Sequence, residues 1–140
     1  MIRSFKQSDL DPVMAIWLNS NIAAHPFVPR EYWEANEPMV REMIPQSDVF
    51  VAEEAGMVRG FIGIADGYIA GIFVDGNYRS HGLGRQLLNR AKEQYDALTL
   101  HVYQENRRAV AFYQREGFQV SEAGTDEETG RADYAMSWKR

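Results

Sequence analysis

The fold of this chain is decided by residues 68–103, which read YIAGIFVDGNYRSHGLGRQLLNRAKEQYDALTLHVY. The first seven residues form a continuous apolar run, as in a buried strand. From Leu83 the apolar side chains fall at helical spacing, and residues 98–103 return to a strand pattern. Strand, glycine turn, helix and strand in this order predict a βαβ unit, whose two strands are parallel.

The segments around this unit predict antiparallel neighbours and further helices. Ala55-Gly56 and Asp66-Gly67 separate β-branched, aromatic-rich runs, which is typical of hairpins. A helix is predicted from Arg30, and Pro38 should kink it or split it in two. We therefore expect an α/β (α+β) fold in one domain over residues 1–140, with a mixed, mostly antiparallel twisted sheet and a central parallel strand pair flanked by helices. Further elements are predicted as a helix before residue 25, a helix over 106–116 and strands over 118–121 and 134–138.

The composition excludes several classes of function. With 15 basic and 20 acidic residues among 140, the net charge is −5, which argues against nucleic acid and anionic membranes as main partners. The chain has no cysteine, and its three histidines stand alone, so we expect no metal site. It has no apolar run long enough for a membrane span or a secretory signal. We expect a soluble cytoplasmic protein.

The glycine turn between strand and helix predicts an anion site. It reads Arg79-Ser80-His81-Gly82-Leu83-Gly84-Arg85. A helix N-terminus leaves N–H groups without partners, and glycine lets a phosphate approach them closely. A Walker loop is excluded because the chain has no Gly-Lys pair, and a dinucleotide fingerprint fails because Leu87 replaces its last small residue. The alternative is a tight turn before a surface helix.

The same turn carries a family resemblance. Arg79-x-x-Gly82-Leu83-Gly84-x-x-Leu87-Leu88 resembles the acetyl-coenzyme A signature of the GNAT superfamily of N-acetyltransferases, of the small single-domain bacterial type. Ile72-Phe73-Val74 before it, and Asn106…Ala111-Phe112-Tyr113…Gly117-Phe118 after it, match the family in order and spacing. The resemblance is specific over residues 60–118.

The resemblance implies a splayed pair of parallel strands with acetyl-coenzyme A in the gap and Tyr113 as general acid. The implied cofactor-binding residues are Ile72, Phe73, Val74, Arg79, Ser80, His81, Gly82, Leu83, Gly84, Arg85 and Asn106. Asn106 and Tyr113 are seven residues apart, so they share one helix face. The alternative from the residues alone is that Asn106 is a helix cap, which is compatible with cofactor binding, and that Tyr113 is a core residue.

The expected function is acetyl-coenzyme A-dependent N-acetylation of a primary amine, on a peptide lysine, an N-terminus or a small molecule, by a monomer or homodimer without a metal. The alternatives are a non-catalytic coenzyme A-binding regulatory module and an unrelated phosphate-binding domain. The expected acceptor cleft is lined by aromatic side chains, which are equally core residues: His25, Phe27, Tyr32 and Trp33.

The general base stays open, as does the acidic loop around Asp126, which is either a solvated hairpin loop or an attractor of cationic acceptors. The base candidates, besides water, are Glu53, Glu54, Glu105, His25 and His101.

Overall fold

The computed structural model describes residues 1–78 and 81–140. The strands in this part are β1 (Ile2–Ser4), β2 (Asp48–Glu54), β3 (Met57–Ala65), β4 (Tyr68–Val74), β5 (Ala97–Tyr103), β6 (Gln119–Thr125) and β7 (Ala132–Lys139). The α-helices are α1 (Leu10–Ala24), α2 (Arg30–Met43), α3 (Leu83–Gln94) and α4 (Arg107–Arg115). All these strands belong to one sheet, in the order β1-β2-β3-β4-β5-β7-β6.

Two tight turns make β2, β3 and β4 an antiparallel meander. Ala55 and Gly56 have φ values of 53° and 77°, and Asp66 and Gly67 have 51° and 81°. Left-handed conformation at both central residues defines a type I′ turn, whose twist matches that of the strands it joins. Both hairpins predicted from the sequence are confirmed.

The predicted βαβ unit is present, with β4 and β5 parallel and α3 between them. Their pairing is limited to Tyr68 with Thr99 and Ile69 with Leu100. At this point Ala70 has no partner in the β3–β4 ladder, because Ile69 pairs with Ile64 and the next pair joins Gly71 to Gly63. An extra residue of this kind bends its strand. The bulge at Ala70 therefore turns the remainder of β4 away from β5.

The sheet separates two buried layers of side chains. In the α3–α4 layer, these two helices pack on residues such as Ile62 and Leu100. In the α1–α2 layer, the other two helices pack on residues such as Val51 and Phe61. This is the helix-flanked mixed sheet that the sequence predicts.

Strand β5 places its side chains alternately on the two faces of the sheet. Leu98, Leu100 and Val102 are buried in the α3–α4 layer. The alternate residues, Thr99, His101 and Tyr103, lie on the opposite face, where the first two are exposed. Strict alternation therefore places His101 and Tyr103 side by side on the α1–α2 face.

Two details differ from the sequence prediction. Helix α2 runs as one helix through Pro38, so it is not split in two. Pro38 and Glu34 are both exposed, so the Glu34 carbonyl that proline leaves unpaired can bond to water. Strands β6 and β7 also extend beyond the predicted bounds, because their pairing continues to Thr125 with Ala132. No helix in the described ranges is long and apolar enough to cross a membrane.

Candidate active site

A gap opens between β4 and β5 beyond the bulge at Ala70. On one edge, β4 remains paired with β3 as far as Val74, which faces Gly60. On its other edge, ladder pairing within the described residues ends at Ile69. The half-buried segment Ile72–Val74 therefore has main-chain groups that β5 does not pair. This is the splayed strand pair that the sequence resemblance implies.

The glycine turn adjoins the end of this gap. Gly82 has a φ of 76°, which glycine adopts without strain, and it precedes the first turn of α3. The first backbone bond of the helix runs from the N–H of Gln86 to the carbonyl of Gly82, so the N–H groups of residues 83–85 precede it. A β-carbon on Gly84 would lie 3.5 Å from Cζ of Phe112 and 4.0 Å from Cγ2 of Val74.

The side chains of the turn point to different environments. Leu83 is buried in the α3–α4 layer, whereas His81 is exposed and packs edge-on against Tyr78. Nε of Arg85 lies 3.5 Å from a carboxylate oxygen of Glu116, so this charge is paired at the surface. Arg79 and Ser80, which the sequence analysis also assigns to this site, lie outside the described residues.

Helix α4 supplies Asn106 and Tyr113. Oδ1 of Asn106 accepts a hydrogen bond of 3.3 Å from the N–H of Ala109, so Asn106 is the helix N-cap. Tyr113 is buried in the α3–α4 layer between Phe112 and Phe118, and its hydroxyl makes no hydrogen bond to the described residues. Burial raises the pKa of Tyr113, and the nearby Tyr68 adds to the rise.

On the opposite side of the sheet, an aromatic cluster gathers beside the end of β5. We define it as His25, Phe27, Trp33 and Tyr103. The His25 ring stacks on Trp33 at 5.2 Å and meets the edges of Phe27 at 5.6 Å and Tyr103 at 5.1 Å. Tyr32 packs edge-on against Trp33 at 4.9 Å. The four acceptor-cleft residues predicted from the sequence therefore lie together.

The acidic loop between β6 and β7 contacts this aromatic cluster and Tyr32 through hydrogen bonds. The Tyr32 hydroxyl donates to Glu128 and the Tyr103 hydroxyl donates to Asp126, each at 2.7 Å. Arg131 donates to the carbonyl of Phe27 at 2.9 Å. Burial raises the pKa of Tyr103 to about 12, and Asp126 contributes to the rise. The loop is thus anchored, and it holds two carboxylates at the edge of the cluster.

The general-base candidates have different partners. Glu53 accepts a hydrogen bond of 2.8 Å from Arg3, Glu105 accepts one of 3.3 Å from Arg131, and Glu54 lies 3.7 Å from the N-terminal amine. Nε2 of His25 faces the Asn106 amide, while Nδ1 of His25 is buried without a partner among the described residues. Nδ1 of His101 shares a hydrogen bond of 3.0 Å with the Tyr68 hydroxyl.

Tyr68 and Tyr103 were not singled out from the sequence. The alternation of β5 carries a signal for Tyr103, since Leu98, Leu100 and Val102 assign Tyr103 to the other face. No local pattern indicates Tyr68, because the contact between Tyr68 and His101 joins two strands that only the βαβ crossover brings together. Among the described residues, no group of three or more His, Cys, Asp or Glu side chains could hold a metal ion.

A family model described as an acetyltransferase (GNAT) domain matches residues 45–120 of the chain. The chain is 34% identical to the peptidyl-lysine N-acetyltransferase YiaC of Escherichia coli over 140 residues, which are 99% of this chain and 96% of the relative. It is 30% identical to the peptidyl-lysine N-acetyltransferase YjaB of the same organism over 131 residues, covering 93% and 89%.

Solved structures have the same architecture. The solution structure of apo YjaB from Escherichia coli matches with a TM-score of 0.85 and 28% identity, covering 99% of this chain and 96% of the other. YncA from Salmonella typhimurium, solved with its cofactor acetyl-CoA, matches with a TM-score of 0.70 and 18% identity, covering 99% and 92%. At this identity the second likeness concerns the fold.

Proposed function

The chain belongs to the GNAT family of acetyl-coenzyme A-dependent N-acetyltransferases, and from this premise we propose that its acceptor is the side-chain amine of lysine in peptides. The observation that carries the proposal is the gap between β4 and β5, which opens beside the glycine turn of α3 on one side and the aromatic cluster on the other. Two relatives named peptidyl-lysine N-acetyltransferases support the choice of acceptor.

The residues at the gap fit acetyl-coenzyme A. Beyond Ile69, the main chain of β4 offers donors and acceptors that β5 does not use, so an extended amide-containing arm can pair with Ile72 and Val74. The main-chain groups of Phe73, between them, face β3 instead. Gly82 and Gly84 present no β-carbon at the start of α3, where N–H groups and the helix dipole favour a pyrophosphate. The N–H groups from His81 to Arg85 would hold it. The assignment of Arg79 and Ser80 to the same site stays a prediction.

Asn106 would act at the start of α4, but its side chain is already engaged. Oδ1 caps the helix and Nδ2 faces His25. We therefore expect Asn106 to contact the pantetheine arm through its main-chain groups, which the helix cap holds in place. Its side-chain amide contacts His25 of the aromatic cluster instead.

Tyr113 is the proposed general acid. When bound, acetyl-coenzyme A supplies an activated acetyl thioester. A donor to the leaving sulfur must hold its proton at neutral pH, and the raised pKa of the buried Tyr113 keeps its hydroxyl protonated. The main-chain N–H of Val74 would donate to the carbonyl oxygen as negative charge develops there. That N–H faces the gap, because Asp75 donates to Arg59 of β3 and successive N–H groups of a strand alternate between its two edges.

The acceptor side favours a cationic, partly apolar group. Phe27 and Tyr32 are half-buried and provide aromatic surface, on which an alkylammonium stem packs favourably. His25 and Trp33 are buried and support these two rings by direct ring contacts. Asp126 and Glu128 place negative charge at the rim of that surface. A lysine side chain combines the apolar stem and the positive charge that these groups favour.

A monomer or homodimer in the cytoplasm remains the expectation for the assembly and its location.

A panel of acceptors tests the proposal. Lysine peptides, N-terminally free peptides without lysine, small primary amines and hydroxyl compounds are each incubated with acetyl-coenzyme A, and thiol release is measured. We expect kcat/KM to be highest for the lysine peptides, and mass spectrometry should place the acetyl group on the ε-nitrogen. Preference for an N-terminal α-amine or a small amine would contradict the lysine assignment, and hydroxyl acetylation would contradict N-acetylation.

A further inference from the structure

Tyr68 and His101 form a hydrogen-bonded pair at the point where the gap between β4 and β5 begins. Tyr68 is the first residue of β4 and pairs with Thr99 of β5, and His101 follows Leu100, the last β5 residue in that ladder. Oη of Tyr68 and Nδ1 of His101 are 3.0 Å apart, and their ring centroids are 5.7 Å apart. His101 is exposed and Tyr68 is 37% exposed, so both can be reached from solvent.

The pair lies across the sheet from Tyr113. Leu100 and Val102 of β5 point into the α3–α4 layer that contains Tyr113, so His101 between them points to the α1–α2 face. Tyr103, two residues further on the same face, belongs to the aromatic cluster. Tyr68 is nevertheless close enough to Tyr113 to contribute to its raised pKa. A group in the gap would thus have Tyr113 on one side and the Tyr68–His101 pair on the other.

The other base candidates are less suited to receive a proton at this place. Glu53 and Glu105 are engaged by arginines. His25 has one nitrogen facing the Asn106 amide and the other buried, so neither is open to an incoming amine. His101 has one nitrogen on Tyr68 and an exposed ring, which gives a proton a route to solvent.

We infer that Tyr68 and His101 act together as the proton acceptor for the substrate amine, an inference that rests on the proposed lysine acetylation. The N–H bond of the lysine ammonium breaks and its proton passes to Oη of Tyr68. The hydroxyl proton of Tyr68 moves at the same time to Nδ1 of His101, which becomes an imidazolium. The exposed imidazolium then loses one proton to water, and the neutral amine is left to attack the thioester.

The charges around the pair suit this task. Asp133 lies on the neighbouring strand β7, where it pairs with Tyr103, and Asp126 lies in the β6–β7 loop. Both carboxylates add to the effect of burial in raising the pKa of Tyr68, while the main-chain N–H of His101 opposes it. Tyr68 therefore stays protonated as a relay. The same carboxylates attract the positively charged ammonium of the substrate.

The test uses Tyr68→Phe and His101→Gln in the full chain, with kcat for a lysine peptide measured from pH 6.5 to 10. Each variant should lose about 10²-fold in kcat near pH 7, the usual scale for a missing base. The deficit should shrink as the pH approaches about 10.4, where free lysine is already half neutral. Imidazole in the buffer should restore part of the activity to His101→Ala. Thr99→Val, on the same face of β5, should match the wild type throughout.

The possible failures can be told apart. A deficit of equal size at every pH, without imidazole rescue, would mean that the pair has only a structural role and would overturn the inference. Variants as active as the wild type at pH 7 would overturn it too. If the wild-type chain acetylates no amine while calorimetry shows that it binds acetyl-coenzyme A, the proposed function itself is wrong, and the inference falls with it.

Discussion

Nδ2 of Asn106 lies 3.2 Å from Nε2 of His25, although 81 residues separate the two in the chain. Because Oδ1 of Asn106 already accepts from Ala109, the amide presents its N–H₂ group to His25. Nε2 of His25 must then be the acceptor, so the ring is neutral with its proton on the buried Nδ1. This bond ties the helix cap beside the gap to the aromatic cluster on the acceptor side.

The neutral state of His25 predicts a pH-dependent stability. Burial lowers the pKa of His25 below its ordinary value of 6.5, so the unfolded chain takes up a proton more readily than the folded one. Stability is therefore complete above about pH 6.5 and falls as the pH drops below it, by at most about 1.4 kcal/mol per pH unit.

Urea unfolding at pH 7.5 and 5.5 measures this loss, and His25→Gln should reduce it. Asp9 does not interfere, because Arg3 holds its pKa below 3.8 and its contribution is lost only as the pH falls below that value. Equal losses in wild type and variant would show that His25 is not the group responsible.

A substitution at Gly84 can test cofactor binding without destabilising the fold. A β-carbon there meets Phe112 at an ordinary contact distance, and alanine is a better helix former than glycine, so Gly84→Ala should fold at least as stably as the wild type. The added methyl would stand where we place the pyrophosphate. We expect acetyl-coenzyme A to raise the melting temperature of the wild type. Calorimetry should show the variant binding it at least about tenfold more weakly, or about 1.4 kcal/mol; equal binding would place the site elsewhere.

Tyr113→Phe removes the proposed proton donor while keeping the ring. We expect kcat to fall by about 10²-fold or more, with little change in the affinity for acetyl-coenzyme A. Tyr134→Phe is the matched control, because Tyr134 packs against the same α3–α4 layer and its hydroxyl bonds to none of the described residues. Near wild-type turnover of Tyr113→Phe would mean that Tyr113 is a core residue only.

The charge of the acidic loop should affect the KM for the amine acceptor and not the affinity for acetyl-coenzyme A. Glu128→Gln removes a charge that the Tyr32 hydroxyl holds at the edge of the cluster. We expect the KM for a lysine peptide to rise about three- to tenfold, as for the loss of roughly 1 kcal/mol of partly screened attraction, and more at low salt. Glu127→Gln is the neighbouring control, since Glu127 bonds to none of the described residues. Equal effects of both variants would indicate net charge as the cause.

Phe27 and Trp33 should behave differently. Trp33 is 8% exposed and packs against Trp17 and His25, so Trp33→Ala should cost about 3–5 kcal/mol of stability. Phe27 is half-buried at the rim, so Phe27→Ala should instead raise the KM for the amine with a smaller loss of stability. Thermal unfolding and acceptor titrations of both variants decide this. Loss of cofactor affinity in folded Phe27→Ala would place Phe27 on the pantetheine side.

The local sequence determined the helices, strands and turns, and much of the proposed cofactor site. Ala55-Gly56 and Asp66-Gly67 dictate their turns through backbone conformation, and the apolar spacing after Leu83 dictates α3. The glycine turn lies between one strand and one helix that are adjacent in the chain, so its residues and its chemistry could be predicted together. Pro38 does not split α2, because a proline on the exposed side of a packed helix leaves only a solvated carbonyl unpaired.

Only the tertiary structure decided the acceptor side. The bulge at Ala70 depends on register with β3, and it fixes where the gap between β4 and β5 begins. The contacts from Asn106 to His25, from Tyr32 to Glu128 and from Tyr68 to His101 join positions 81, 96 and 33 residues apart. Such contacts leave no periodic trace in the sequence, since each depends on how separate elements dock on the two faces of one sheet. The sequence could therefore name His101 among five candidate bases, and only packing shows its hydrogen bond to Tyr68.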